Sequence, residues 1–193
     1  MSYRLLSLCF AAAFLTAGTI AYSQAATQKA PPPPPKKAAA PADDATLIKS
    51  AMAAAPVEIA KDATIVNGEM KVIRQGTNGW TCMPDLPTSP GTDPMCLDKN
   101  GMEWVHAWAA KKDPPKGKMG IGYMLMGGSD ASNTDPFATK PAANGKWVDT
   151  GPHMMVLNIG DAFAGYPTTA TNTKAPYVMF PGTPYAHLMI PVK

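Results

Sequence analysis

Methionine and histidine recur two residues apart in this chain. His153 is followed by Met155, His187 by Met189, and Met124 by Met126. Side chains alternate faces along a β-strand, so residues two apart share a face. If the three segments are neighbouring strands with those faces together, two imidazoles and four thioethers converge. Imidazole and thioether are ligands that suit copper, Cu(I) above all. The expectation is a single soft-metal centre built from His153, Met155, His187, Met189, Met124 and Met126. The competing reading is apolar packing. Residues 24–193 hold twelve methionines against six leucines, and methionine fills irregular cores where leucine otherwise would.

A second chemistry needs one histidine and an acid. His106, His153 or His187 with Asp130 or Asp135 supplies the residue types of an acid–base site. The polar run 127–135 includes Ser129 after two glycines. A nucleophile elbow needs glycine two residues after its serine, and Ala131 stands there. A small hydrolase on this loop is therefore an alternative with a weak signature. Asp130, Asn133 and Asp135 are also oxygen ligands close in sequence, but their spacing is not that of a calcium-binding EF-hand. Such loops commonly satisfy their own backbone through side-chain turns. The tryptophans and tyrosines read as core or as the lining of a small-molecule pocket. The chain has no haem-attachment motif, phosphate loop, H-E-x-x-H or dinucleotide fingerprint.

Other chemistry is excluded by charge. The formal net charge is +3, yet Arg4, Lys29, Lys36 and Lys37 all precede Asp43. From Asp43 on, thirteen cations face fourteen acids, a formal charge of −1. Arg74 is the one arginine there, and arginine is the usual phosphate reader. The expectation is no nucleic-acid partner.

The elements that must position these residues begin after a leader. One arginine, an apolar run from Leu5 and a small-residue exit at Ala21 and Ser23 read as a signal peptide over residues 1–23. Residues 24–43 include an unbroken proline run, Pro31 to Pro35, and read as a disordered, extended tether. No membrane span is expected once the signal is cleaved, which places the protein in the periplasm or outside the cell. Cys82 and Cys96 then form an even pair in an exported chain and are expected to be disulfide-bonded.

Residues 44–193 read as a single α+β domain. Asp44–Ala55 and Asp98–Lys112 carry helical stripes, and Asp43 or Asp44 can cap the first. Strands are expected at 63–67 and 70–74 around the turn signal Asn67-Gly68, and at 80–83, 119–126, 153–159, 177–180 and 186–192. Residues 127–145 read as one long loop. The sum is an antiparallel or mixed sheet of about five to seven strands with two main helices and long loops. The first functional expectation is a non-catalytic binding or structural envelope domain with an envelope or protein partner. Copper binding and hydrolysis are the alternatives.

Overall fold

The computed structural model describes residues 43–192. The signal-peptide and tether readings lie outside the described residues, except at Asp43. Its carboxylate accepts a hydrogen bond from the Thr46 amide at 2.7 Å and caps the first helix, α1 (Asp44–Met52). That bond satisfies one of the amides a helix start leaves without a partner. The helix ends three residues earlier than expected, and Ala53–Ala55 turn the chain into α2 (Val57–Ala60). Ala51, Ala54, Ala60 and Ala63 are almost wholly buried. Their small side chains let both helices lie close on the sheet.

The strands follow as β1 (Thr64–Val66), β2 (Val72–Arg74), β3 (Thr81–Met83) and β4 (Met95–Leu97). Helix α3 (Lys99–Ala109) comes next, then β5 (Gly120–Met124), β6 (Gly128–Asp130), β7 (Val148–Thr150) and β8 (His153–Leu157). A 3-10 turn at Gly160–Phe163 precedes β9 (Tyr177–Met179) and β10 (His187–Pro191). Eight strands form one sheet in the order β2-β1-β3-β4-β5-β8-β10-β9, while β6 and β7 make a separate ribbon. The sheet is mixed: β1 and β3 are parallel, and every other pairing is antiparallel.

The architecture is α+β, with more strands than the expected five to seven. The difference comes from three-residue strands. The cysteine loop ends in β4, and β6 lies inside the stretch read as one long loop. Segments this short carry too few alternations to register as strands.

Following the register across the sheet separates its two faces. Ile65, Cys82, Cys96, Tyr123, Met154 and Ile190 stand in one continuous cross-strand row. This face carries the core shared with α1 and α2. The next row, Leu97, Gly122, Met155, Met189 and Tyr177, points to the other face. Here α3 supplies Trp104, Met102 and Val105 to a second core. Glycine sets the fit. A Cβ on Gly120 would stand 2.5 Å from the Gly101 amide nitrogen, and one on Gly122 would stand 2.7 Å from Met155 Cε. Without those glycines neither α3 nor the Met155 side chain could lie across β5.

Cys82 and Cys96 are directly opposite on β3 and β4 and are joined by a disulfide. A bridge closing a loop of about 15 residues contributes roughly 3 kcal/mol in the chain-entropy account. Among the described residues no helix is long and apolar enough to cross a membrane. A disulfide is typical of proteins that fold in an oxidising compartment.

Candidate functional site

Five of the six residues in the expected metal set lie on the α3 face of the sheet. Strands β5, β8 and β10 are neighbours, and the register pairs Met124 with His153 and Met155 with Met189. His187 pairs with Leu157 on one side and with Met179 on the other. All of these alternate onto the same face. Met126 does not join them. The chain turns at the end of β5, where the Gly127 amide donates to the Met124 carbonyl, and Met126 is 52% exposed. The two-residue spacing of Met124 and Met126 has no strand beneath it, so the thioethers do not share a face.

The set also departs from a single convergent centre. His153 lies opposite Pro191 and His187 opposite Leu157, so the two histidines occupy opposite ends of the β8–β10 pairing. The Met155–Met189 pair stands between them. The face is richer in sulfur than the sequence reading foresaw. Met179 is fully buried in it, and Met83, Met95 and Met102 pack against it. Alternation along Tyr177–Phe180 was the available signal for Met179, but its strand neighbour could not be read from the chain.

Both histidines are held the same way. His153 Nδ1 lies 2.7 Å from the Gly151 carbonyl oxygen, and His187 Nδ1 lies 3.0 Å from that of Tyr185. A carbonyl only accepts, so Nδ1 carries the proton in each ring and Nε2 keeps its lone pair. His153 is fully buried, and its Nε2 has no hydrogen-bond partner among the described residues. Burial pushes its pKa below the ordinary value, while the bond to Gly151 works the other way. Burial likewise pulls His187 down to about 4. Both rings are neutral near pH 7. Neutral imidazole with Nδ1–H on a backbone carbonyl and Nε2 free is the form that ligates metals.

The surroundings of His153 Nε2 are soft. A Cβ placed on Gly128 would stand 3.4 Å from His153 Cε1, 2.9 Å from Met124 Cε and 3.7 Å from Met124 Sδ. The Met124 thioether and the His153 imidazole thus both lie beneath the backbone of β6 at Gly128. The ribbon β6–β7 covers this end of the face, and Val148 joins the same core.

Two other buried side-chain atoms lack partners, Trp104 Nε1 and Asn133 Oδ1. The indole nitrogen is a donor and cannot ligate. Asn133 otherwise ties loops together, its amide donating to the Thr168 carbonyl at 2.9 Å.

The ribbon also makes an acidic junction with the cysteine loop. Asp93 Oδ1 accepts from the Ser129 amide at 2.8 Å, and the Ser129 hydroxyl donates to Asp149 at 2.6 Å. Ser89 donates to Asp93 as well. Burial, with the Asp93 charge nearby, pushes Asp130 up to about 7. Burial also raises Asp93. Asp135 takes the Phe137 amide in a local turn. Among the described residues no group of three or more His, Cys, Asp or Glu side chains is arranged to hold a metal ion.

None of the three histidines hydrogen-bonds to Ser129, Asp130 or Asp135. His106 is exposed on α3, and the other two rings bond backbone carbonyls. Two clefts among the described residues, of about 340 and 910 Å³, lie elsewhere. Both are lined by Gly160, Asp161, Phe163, Gly182 and Ala186, and by none of the histidines. No protein-family model, curated protein or solved structure matches this chain.

Proposed function

We propose that this is an exported, non-catalytic binding domain whose ligand is a soft monovalent metal ion, Cu(I), held by His153 Nε2 and the Met124 thioether. The observation that carries the reading is the His153 Nε2 lone pair, buried and without a partner among the described residues, on a residue whose cross-strand partner is Met124. Leaving a buried polar atom unpaired costs roughly 1–3 kcal/mol. A metal bond offsets that cost, and Cu(I) favours exactly the donors present, imidazole and thioether. His153 and Met124 are both buried, which suits an ion bound by protein donors alone. Export and a structural disulfide fit a protein that meets copper outside the cytoplasm, in the periplasm or beyond the cell.

The test is thermal unfolding of the purified protein with and without Cu(I), kept reduced by ascorbate so that the disulfide survives. A ligand bound only by the native state at a thousandfold excess over Kd stabilises it by about 4 kcal/mol. The midpoint should rise with Cu(I), and His153→Leu should remove the rise. An unchanged midpoint in the unmutated protein, with no ion retained on desalting, would rule the reading out.

The non-metal form of the same reading is a structural envelope domain with a methionine core. It is supported by the near-complete burial of Met155, Met179 and Met189, and it gains if the titration is blank.

A further inference from the structure

We propose a second soft-cation site at His187 and Met179, so that the domain takes two Cu(I) ions per chain with the Met155–Met189 pair between them. This rests on the copper reading of His153.

The two ends of the β8–β10 pairing share a construction, although only His153 Nε2 is a fully buried atom without a partner among the described residues. In each, the histidine donates Nδ1–H to the carbonyl two residues earlier, Gly151 at one end and Tyr185 at the other. In each, a buried methionine of the adjoining strand stands directly opposite: Met124 against His153, and Met179 against His187. His187 is 4% exposed and Met179 fully buried. No hydrogen bond occupies His187 Nε2 among the described residues. Two residues along each strand from its histidine come Met155 and Met189, themselves direct partners.

Register, not chance proximity, makes these two sites. The backbones of the two histidines are separated by four residues along the strand direction, roughly 14 Å at about 3.4 Å per residue. Metal–nitrogen bonds are roughly 2 Å long. That geometry suits one ion at each end. The Trp104 and Phe180 rings stand edge-on to the His187 imidazole, with centroids 5.3 and 5.5 Å away. Phe180 holds this place with φ +54°, in the left-handed region. A bulky side chain rarely adopts that conformation unless its surroundings impose it.

Two positive ions on one face repel, so the second ion should bind more weakly than the first. The experiment is Cu(I) titration of the purified protein against a chromophoric Cu(I) chelator. Two ions per chain are expected, with the weaker affinity lost in both His187→Leu and Met179→Leu and the stronger kept. One ion unaffected by either variant would overturn the second site and leave the first standing. One ion lost equally in His153→Leu and His187→Leu would mean a single shared centre and would also overturn it. No ion at all would remove both readings. Should the variants fail to fold, nitrogen-15 NMR of the unmutated protein decides: Nε2 of both buried histidines should shift on Cu(I) addition, and a shift confined to His153 would end the proposal.

Discussion

His153 and His187 share one face of the sheet but stand at opposite ends of the β8–β10 pairing, against Pro191 and Leu157. Between them the Met155–Met189 pair is buried side by side. Each imidazole is fixed through Nδ1 and presents a lone pair at Nε2. This relationship turns a list of soft residues into an ordered row.

Replacing sulfur without changing volume should separate ligation from packing. Met124→Leu conserves shape, and such swaps usually cost under about 1.5 kcal/mol. The variant should fold with a near-normal urea midpoint and bind Cu(I) at least tenfold more weakly. Full retention of affinity in the folded variant would remove Met124 from the site.

Stability should depend on pH through two opposed groups. Asp130 has an ordinary value of 3.8 and is raised to about 7 by burial, with the Asp93 charge adding to the effect. Between pH 4 and 7 the native state keeps a proton that the unfolded chain has lost, so this group lowers stability as pH rises through that window. His187, pulled from 6.5 to about 4 by burial, acts the other way. The unfolded chain takes up a proton first, so stability is lost as pH falls from 6.5 to 4. His153 is shifted in the same direction. Urea midpoints of Asp130→Asn should therefore exceed those of the unmutated protein at pH 8, converge with them near pH 4, and fall more steeply on acidification. Parallel profiles for the two proteins would contradict the burial of Asp130.

The disulfide should matter for stability and not for the metal face. Cys96 and Leu97 are consecutive on β4 and point to opposite faces, and the cysteine side packs against α1 and α2. Cys82→Ser with Cys96→Ser should cost roughly 3 kcal/mol, read as a lower urea midpoint. Cu(I) bound per folded molecule should not change. Loss of binding in a folded double variant would show that the two faces are coupled.

Gly120→Ala tests the seating of α3. Its Cβ would meet the Gly101 backbone at 2.5 Å, and backbone cannot swing aside. Forcing extra atoms into a packed site typically costs about 1–3 kcal/mol. A calorimetric midpoint equal to that of the unmutated protein would mean that α3 does not sit against β5 as described.

Much of this protein was legible in its residues. The cap at the start of the first helix, the Asn67-Gly68 turn and the paired cysteines are local signals, and the structure bears each of them out, with Asp43 as the capping residue. So is the two-residue alternation that puts His153 with Met155 and His187 with Met189, because it follows from strand geometry alone. Strand order and register are different in kind. They depend on which apolar faces bury each other, and the energy of that choice is spread over residues far apart in sequence. Only the tertiary structure could therefore bring β10 between β8 and β9, set Met179 opposite His187, and leave Met126 in solvent beyond the end of its strand. The same holds for the free Nε2 of His153: its residue type made it a candidate, but burial without a partner is a property of the packed sheet.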